Sequence, residues 1–432
     1  MKKVAFHTLG CKVNQYETEA MEELFAKNDY IVVGEDEIAD VYVINTCTVT
    51  NLSDRKSRQF IRKSKKINEN SVVAVVGCYS QVSPEEVENI EGVDVVIGTS
   101  QRDRIVELCQ QAAMTDETIN IVKPVKTLRS FEKIQIDDVK SRTRAFLKIQ
   151  DGCSQFCSYC IIPYARGPVR SREYDDILDE AGRLAKAGFK EIVLTGIHVA
   201  SYGKETKSKS LKDVILGISK IDGIERIRMS SVEPGVIDEE FMEAIVESKK
   251  TCDHFHLSLQ SGSDSVLKRM NRKYDTAEYM EKVELIRSYM PGAGLTTDII
   301  VGFPGETQDE FAETLNFIKR VGFSRIHVFK YSPRKGTPAA AMENQVSGEI
   351  KNQRSEQLIN IGDELAKEFH EKFINISLPV LYEDSSRNKN TFEGYTTNYI
   401  RVKTPSQKDI IGDIINTELG ETDEQFMIGN II

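Results

Sequence analysis

Short apolar runs alternate with longer amphipathic stretches along the first quarter of the chain. The runs are rich in β-branched residues and almost uninterrupted by polar ones, which is typical of strands buried on both faces of a parallel sheet. The predicted strands are 4–10, 40–46, 72–77 and 93–97, and the predicted helices are 15–27, 53–68 and 102–113. Strands that alternate with helices form parallel sheets with right-handed crossovers. We therefore expect an open parallel-sheet domain over residues 1–113.

A polar segment of mixed charge, residues 114–142, predicts a linker, and a second alternation follows it. Its predicted strands are 145–149, 191–195, 226–230, 254–259, 295–301 and 325–329, with helices at 175–187, 238–248 and 276–289 among them. Six strand–helix units predict a partial (β/α)6 barrel over residues 143–368, with its active site at the carboxyl ends of the strands.

The end of the chain changes character, because its apolar runs are short and turn residues separate them. The predicted strands are 378–383, 392–396, 399–403 and 426–431. This pattern predicts a small antiparallel β-barrel over residues 369–432, of the size of an OB-fold. The segment holds six Lys or Arg against ten Asp or Glu, so its charge does not favour strong phosphate binding. The fold class of the whole chain is α/β.

Composition narrows the compartment and the use of cysteine. The chain has 432 residues, a net charge of −10 and eight cysteines. No apolar stretch reaches the roughly 18 to 20 residues that span a bilayer, and the first residues lack the apolar core of a secretion signal. We therefore expect a cytoplasmic protein in which cysteines bind metal rather than form disulfides. Cys109 and Cys252 fit simple packing roles.

Cys153, Cys157 and Cys160 form a Cx3Cx2C spacing directly after a predicted strand. Three thiolates this close suit three irons of a [4Fe–4S] cluster, with the fourth iron left open to a small molecule. Zinc is the alternative, but structural zinc takes four ligands and no fourth Cys or His lies nearby. The spacing favours a reactive iron–sulfur cluster.

Three further cysteines, Cys11, Cys47 and Cys78, each follow a predicted strand of the first domain. Carboxyl ends of parallel strands meet at one edge of the sheet, where open α/β sheets build their sites. We therefore expect the three to be neighbours and to hold a second cluster. Three separate buried thiols are the alternative, but that reading leaves their shared placement unexplained.

Basic residues are concentrated despite the acidic total. Residues 55–66 carry seven cations in twelve positions, and Arg55, Arg58 and Arg62 share one helix face. A second cluster, 268–273, includes Arg269. Such runs are often only solvated surface, but their positions beside cysteines favour contact with nucleic-acid phosphates.

Several motifs together resemble a known family. The Cx3Cx2C run, with the aromatic Tyr159 before its last cysteine, is similar to the radical S-adenosylmethionine (SAM) superfamily. Along nearly the whole chain, the sequence resembles the methylthiotransferases of that superfamily, through residues 7–14, 45–50, 76–81, 162–167, 256–263 and 298–306. Residues 10–18 are most similar to the type that acts on threonylcarbamoyladenosine beside the tRNA anticodon.

The resemblance implies the activity and its cofactors. Two [4Fe–4S] clusters would work with two SAM molecules, one supplying a methyl group to a sulfur on the second cluster and the other supplying a 5′-deoxyadenosyl radical. The product would carry a methylthio group on carbon 2 of the adenine. The implied partners are tRNA carrying threonylcarbamoyladenosine, an electron donor such as flavodoxin or ferredoxin, and a sulfur donor, with no membrane.

The resemblance also implies roles for residues at the barrel strand ends, although each single one could be an ordinary loop contact. Arg166 and Arg272 would stabilise the loaded, anionic clusters, with a surface ion pair as the alternative. The SAM contacts would come from Tyr159, Thr195, Gly196, Glu233, Ser258, Gln260, Val301 and Tyr331. The last segment is similar to the RNA-binding TRAM domain, where Tyr399 and Arg401 would contact the substrate.

Other functions remain open at this point. Within the family, the substrate could instead be isopentenyladenosine in tRNA or an aspartate of a ribosomal protein, although the residues around Cys11 argue against both. From other classes, the chain could be a non-catalytic iron–sulfur electron carrier or RNA-binding scaffold, or a plain SAM methyltransferase. A plain methyltransferase needs no cysteine triads, and a scaffold would not cleave SAM.

Overall fold

The first domain is built on a six-stranded parallel sheet. The computed structural model describes residues 1–136, 143–386, 390–423 and 425–432. The sheet has the strand order β2-β1-β3-β4-β5-β6. Its strands are β1 (Lys2–Thr8), β2 (Tyr30–Val33), β3 (Val41–Thr46), β4 (Val72–Gly77), β5 (Val95–Val96) and β6 (Ile119–Asn120). The open parallel sheet that the apolar runs predict is confirmed.

Helices cover both faces of this sheet, and apolar side chains fill a core on each side. The helix after β3 is capped by Thr50, whose hydroxyl accepts from the Ser53 amide and so satisfies a free backbone donor. The helices are α1 (Lys12–Ala26), α2 (Asn51–Ile67), α3 (Cys78–Val82), α4 (Pro84–Glu88) and α5 (Ile105–Ala112). The sixth strand comes from the segment that we expected to be a linker.

The central domain is the predicted partial barrel. Six parallel strands lie side by side in two hydrogen-bonded groups, which isolated bridges such as Val232 to Leu257 join. The strands are β7 (Arg144–Asp151), β9 (Glu191–Gly196), β10 (Arg226–Met229), β11 (His254–His256), β12 (Gly294–Val301) and β13 (Arg325–Lys330), with a short antiparallel β8 (Arg170–Ser171) beside β7. Strand β11 ends at His256, whereas the sequence pattern predicted a strand that continues to Leu259. The residues after His256 pair with neighbouring strands only through isolated bridges.

Amphipathic helices surround the barrel and bury its outer face in the largest core of the molecule. Several begin with a capping box, in which an N-cap side chain and the third helical residue satisfy each other's backbone donors. The helices are α6 (Ile162–Arg166), α7 (Tyr174–Lys186), α8 (Leu211–Ser219), α9 (Glu239–Ser248), α10 (Asp264–Arg269), α11 (Thr276–Tyr289), α12 (Gln308–Val321) and α13 (Gly348–Glu371). No helix within the described ranges is long and apolar enough to cross a membrane.

The third domain is a closed five-stranded barrel in the order β14-β15-β16-β18-β17. Its strands are β14 (Ser377–Ser385), β15 (Thr391–Thr396), β16 (Arg401–Pro405), β17 (Ile414–Asp423) and β18 (Phe426–Ile431). The small barrel is confirmed, although it closes through a parallel pair, β16 with β18. Sequence patterning missed β17, because most of its residues are polar and only Thr417 and Leu419 are buried.

Arginines at the amino-terminal ends of the central strands hold the small barrel. Arg228 donates to the carbonyl oxygens of Thr396 at 3.1 Å and Thr397 at 3.0 Å. Arg226 donates to the Pro379 carbonyl at 2.7 Å, and Arg144 pairs with a carboxylate of the small barrel. The third domain therefore covers the end of the central barrel opposite the Cx3Cx2C loop.

A buried charge network joins the first two domains. The Glu17 carboxylate on α1 accepts from Lys148 of β7 at 2.6 Å and from Arg166 at 2.5 Å, and it also pairs with Arg102. Asp151 accepts from Lys148 at 2.7 Å. All five of these side chains are essentially inaccessible to solvent.

The network holds more positive than negative charge. Four cations, Arg102, Lys148, Arg166 and Arg170, meet three carboxylates, Glu17, Asp151 and Glu132, which leaves one positive charge in excess. Burial alone would raise the pKa of Glu17, but its three cationic partners lower it to about 2. Glu17 is therefore ionised wherever the protein is folded near neutral pH.

We predict that Glu17→Gln destabilises the protein by about 3–5 kcal/mol, the cost typical of leaving buried charges unpaired. Three cations lose their shared carboxylate, whereas Glu91→Gln, at an exposed position, should change stability by no more than about 0.5 kcal/mol. Urea unfolding followed by circular dichroism measures both variants.

Comparison of the wild type with Glu17→Gln also tests how the stability depends on pH. A carboxyl whose pKa is lower in the folded than in the unfolded chain stabilises the fold above its unfolded pKa, and this contribution is lost as pH falls. The wild-type advantage over Glu17→Gln should therefore shrink as pH falls from 4.5 towards about 2. A constant difference across that range would contradict the role assigned to Glu17.

Candidate active site

The Cx3Cx2C loop leaves the carboxyl end of β7 and is braced from both sides. The Cys153 amide donates to the Gly167 carbonyl at 3.0 Å, and the Ser158 amide donates to the Met270 carbonyl at 2.9 Å. The Asn271 side chain donates to the Phe156 carbonyl at 2.9 Å. Cys157 is buried, whereas Cys153 and Cys160 remain partly accessible. The loop thus presents its thiols from a fixed backbone.

Arg272 lies directly against this loop. Its Nη1 donates to Cys157 Sγ at 3.2 Å, and its Nη2 lies 2.9 Å from a Glu233 carboxylate oxygen. The other Glu233 oxygen lies 2.9 Å from His198 Nε2. Burial would raise the pKa of Glu233, but His198 and Arg272 together lower it. The guanidinium therefore links a thiol of the Cx3Cx2C loop to an ionised carboxylate in the segment that follows β10.

The second triad is brought together at the edge of the first sheet. Cys11 follows β1, Cys47 follows β3, and Cys78 begins α3 directly after β4. Gly10 and Gly77 precede two of the cysteines with φ of 108° and 98°. A Cβ on Gly10 would lie 2.8 Å from the Cys47 Cβ, so only glycine allows the β1 turn to approach Cys47 this closely.

Arg166 of α6 reaches from the central domain to this second triad. Its Nε donates to Cys78 Sγ at 3.2 Å, and its Nη2 donates to Asn14 Oδ1 at 2.8 Å. Asn14 in turn donates to the carbonyl oxygens of Leu9 at 2.7 Å and Thr46 at 2.9 Å. The excess positive charge of the buried network is thereby placed against a cysteine of the triad.

The surroundings of the thiols suit an anionic group. Among the described residues, no group of three or more His, Cys, Asp or Glu side chains is arranged to hold a single metal ion. Three thiolates can bind a [4Fe–4S] cluster, each through a separate iron. Each triad also has a guanidinium that donates to a cysteine sulfur, the outer contact that supports anionic ligands. These features fit iron–sulfur clusters.

A cavity of about 230 Å³ lies between segments of the two triads. Val49 and Thr50, which closely follow Cys47, form one part of its wall, and Cys160 forms another. Phe329, at the end of β13, is half-exposed and also borders it. One space is therefore bounded by the neighbourhoods of both triads.

Some of the predicted SAM-contacting residues line this cavity, and the others lie elsewhere around the barrel strands. Tyr159, Gln260 and Tyr331 line the cavity. Glu233 belongs to the Arg272 ion pair, and Ser258 is partly accessible. A Cβ on Gly196 would lie 3.0 Å from side-chain atoms of Gln150 and Val199. Thr195 donates within its own strand at 3.2 Å, and Val301 lies in the barrel core.

Polar atoms around the strand ends are left free for a polar cofactor. The hydroxyl groups of Ser230 and Tyr331 are buried and have no hydrogen-bond partner among the described residues. Buried polar groups normally have partners, so a bound polar molecule suits this position. Sequence reasoning did not single out Ser230, which directly follows β10.

The predicted RNA-binding residues are also placed unevenly. Arg55 and Arg62 are exposed on α2. Three others already pair with carboxylates, Arg58 with Glu86, Arg269 with Glu310 and Arg401 with Glu393. Tyr399 stacks between His254, at 4.4 Å, and Tyr395, at 4.8 Å, where the small barrel meets the central one.

Sequence reasoning missed the residues that connect the domains. Glu17, Lys148 and Asp151 form the buried network, and Arg334 donates to Thr48 Oγ1 at 2.6 Å and Asp54 at 2.7 Å. Lys148 gave a signal, because it stands inside an otherwise apolar strand. Glu17 and Arg334 gave none, because their burial depends on how the domains pack.

Comparison with known proteins is consistent with this geometry. Residues 147–318 match the model of the Radical SAM superfamily, and residues 3–98 match that of Uncharacterized protein family UPF0004. A threonylcarbamoyladenosine tRNA methylthiotransferase MtaB from Bacillus subtilis (strain 168) is 45% identical, over 97% of this chain and 94% of its own length.

The chain belongs to the radical SAM methylthiotransferase family. An MtaB from Aquifex aeolicus (strain VF5) is 39% identical, over 94% of this chain and 98% of its own length. A tRNA-2-methylthio-N(6)-dimethylallyladenosine synthase from Alkaliphilus oremlandii (strain OhILAs) is 36% identical, over 100% of this chain and 93% of its own length. The protein is therefore an enzyme, and its family uses a [4Fe–4S] cluster and SAM.

A solved structure shares the fold of this methylthiotransferase. The radical SAM methyltransferase TsrM from Kitasatospora setae, solved with cobalamin and a [4Fe–4S] cluster bound, matches with a TM-score of 0.58 and 14% identity. The match covers 78% of this chain and 77% of that chain. At this identity the likeness concerns the fold alone.

We predict that the cysteines of the cluster-free, reduced enzyme differ strongly in reactivity. Cys11 is exposed, whereas burial raises the pKa of Cys78 to about 12 despite the opposing charge of Arg166. Because the thiolate is the nucleophile, Cys78 should react with iodoacetamide at least about 100-fold more slowly than Cys11.

Peptide mass spectrometry over a time course at pH 8 measures these rates. Cys109, which is buried outside both triads and has a raised pKa, is the matched slow control. In urea all three rates should converge, because burial is lost. Equal rates for Cys11 and Cys78 in the folded protein would contradict the arrangement described here.

Proposed function

We propose that this enzyme adds a methylthio group to adenine carbon 2 of threonylcarbamoyladenosine next to the tRNA anticodon, using two [4Fe–4S] clusters and two SAM molecules. Cys153, Cys157 and Cys160 hold one cluster, and Cys11, Cys47 and Cys78 hold the other. We also propose that the enzyme acts in the cytoplasm.

The observation that carries the proposal is one cavity that is bordered both by Cys160 and by the residues that closely follow Cys47. A reaction that needs a radical and a sulfur at one carbon requires both groups to reach the same space. Cys160 borders this cavity from one side, and Val49 and Thr50, close to Cys47, border it from another. The packing that Glu17 and Arg166 provide supports this juxtaposition.

The comparisons support threonylcarbamoyladenosine over dimethylallyladenosine. The relatives named for the first substrate are 45%, 39% and 37% identical to this chain. The first relative named for dimethylallyladenosine is 36% identical to this chain. The neutral dimethylallyl substrate is the second candidate, because those relatives also match along the whole chain.

The side chains of the enzyme would have distinct tasks around the cofactors. When bound, the clusters and SAM supply the electron, the radical, the sulfur and the methyl group. Arg166 donates a hydrogen bond to Cys78 Sγ and Arg272 donates one to Cys157 Sγ, and these contacts would stabilise negative charge on the cysteine sulfurs. Tyr159, Gln260 and Tyr331 line the space that SAM and the adenine would share.

Other partners follow from the chemistry. The first cluster needs an electron, so we propose a donor of the flavodoxin or ferredoxin class, and the transferred sulfur requires a sulfur donor. Arg55 and Arg62, exposed on α2, the helix that follows Cys47, are the proposed tRNA phosphate contacts.

The proposed substrate can be tested in cells. In a host whose own enzyme of this activity has been deleted, this chain should restore 2-methylthio-threonylcarbamoyladenosine in tRNA, as measured by nucleoside mass spectrometry. Cys157→Ala, expressed to the same level, should not. Restoration of only the 2-methylthio dimethylallyl nucleoside would reject the proposed substrate in favour of the second candidate.

The second prediction concerns the clusters. The anaerobically prepared enzyme should hold about eight iron and eight sulfide, and Cys47→Ala and Cys157→Ala about four of each. Cys47→Ala should still form 5′-deoxyadenosine but transfer no methylthio group, whereas Cys157→Ala should do neither. Cys109→Ala is the control and should keep the full iron content. A Cys47→Ala variant with unchanged iron would disprove the second cluster.

A further inference from the structure

The segment that follows β13, residues 331–339, contacts both the Cx3Cx2C loop and the first domain. On the side of the loop, the Ala339 amide donates to the Ser158 carbonyl at 2.8 Å. Ser158 stands between Cys157 and Cys160 in the sequence, and Ala339 is fully buried. The contact is therefore shielded from water and fixes this end of the segment to the Cx3Cx2C loop.

Arg334 of the same segment reaches the first domain. Its Nη2 donates to Thr48 Oγ1 at 2.6 Å and to Asp54 Oδ2 at 2.7 Å. Arg334 and Thr48 are buried, and the Asp54 side chain is only 13% accessible. The Thr337 hydroxyl donates to the Arg334 carbonyl at 2.8 Å, which fixes the turn that leads towards Ala339. Charge-assisted hydrogen bonds in such a setting constrain geometry more than an exposed ion pair does.

The two acceptors of Arg334 flank one part of the wall of the 230 Å³ cavity. Residues 49–50, which border the cavity, lie between Thr48 and Asp54 in the sequence. Residues 331–332, which also border it, shortly precede Arg334 and belong to the central domain. The guanidinium therefore ties two parts of the cavity wall together across the boundary between the domains.

We propose that Arg334 is a positioning residue that holds residues 47–50 against the central barrel, so that sulfur carried by the second cluster reaches the adenine in the cavity. The inference rests on the proposed function. Arg334 is absent from the described residues that border the cavity, so it acts through Thr48 and Asp54 and not on the substrate. Formation of the radical needs only the Cx3Cx2C side, whereas methylthio transfer needs both sides in register.

Arg334→Gln should uncouple SAM cleavage from methylthio transfer. The assay uses an anticodon stem-loop RNA that carries threonylcarbamoyladenosine, with dithionite as the electron donor. We expect the ratio of 5′-deoxyadenosine to methylthio nucleoside to rise at least about tenfold over the wild type, because a misplacement of about 1 Å can cost about 100-fold in rate. Mass spectrometry measures both products in the same reaction.

Matched variants separate the ion pair from general damage. Asp54→Asn should also raise the ratio, and the double variant with Arg334→Gln should add little, because both changes break one interaction. Arg334→Lys should keep part of the coupling, since its ammonium can still pair with Asp54. Lys335→Gln, at the exposed neighbouring position, should behave as wild type. Single effects that add fully in the double variant would contradict a role through this pair.

Amide hydrogen exchange tests the contact without catalysis. Peptides that cover residues 47–54 should exchange several times faster in Arg334→Gln than in the wild type, with and without clusters, because the segment opens more often. Peptides from β4 should keep their wild-type rates, which shows that the sheet is intact. The iron and sulfide contents of the variant should equal those of the wild type.

Three results would overturn the inference. An unchanged product ratio in Arg334→Gln would show that transfer does not need this contact, whatever the exchange rates. Loss of iron and sulfide would assign Arg334 to retention of the second cluster. A higher KM for the RNA at an unchanged ratio would assign it to RNA binding. Absence of methylthio nucleoside from the wild-type reaction would instead reject the proposed function, and the exchange rates would still show whether Arg334 holds the segment.

Discussion

The packing of the two domains that carry the cysteine triads depends on the Glu17 carboxylate. It lies on α1 of the first domain and binds Arg102 of that domain together with Lys148 and Arg166 of the central one. Ion pairs in a buried, low-dielectric setting interact strongly but lose their hydration, so they persist only when every partner is present. The domains therefore cannot slide past each other without exposing several unpaired charges.

This network also carries charge to the chemistry. Its four cations and three carboxylates leave one positive charge, and Arg166 presents it to Cys78 at 3.2 Å. At the other triad, Arg272 donates to Cys157 Sγ at 3.2 Å. Two unrelated segments thus place a guanidinium against one sulfur of each set, where thiolates and clusters accumulate negative charge.

The acidic third domain is held by the same kind of interaction at the other end of the central barrel. Arg226 and Arg228 donate to its backbone carbonyl groups, and Arg144 pairs with Glu383. Carbonyl acceptors do not depend on the domain's net charge, so an acidic barrel can be fixed without a basic surface.

The sequence by itself determined the elements, their order and the six candidate cluster ligands. Apolar periodicity is a local property, and a cysteine that directly follows a buried strand lies at the carboxyl edge of its sheet whatever the rest of the chain does. For the same reason, the open sheet, the partial barrel and the small barrel could all be predicted, while the polar strand β17 could not.

Only the tertiary structure decided that Cys160 and the residues after Cys47 border one cavity. It also decided which charged residues are already paired with a carboxylate. Arg58 and Arg269 belong to basic runs in the sequence, and Arg401 belongs to the segment similar to the TRAM domain, yet each pairs with a carboxylate that folding brings to it. Burial and pairing depend on residues distant along the chain, so they emerge only when the domains are packed together.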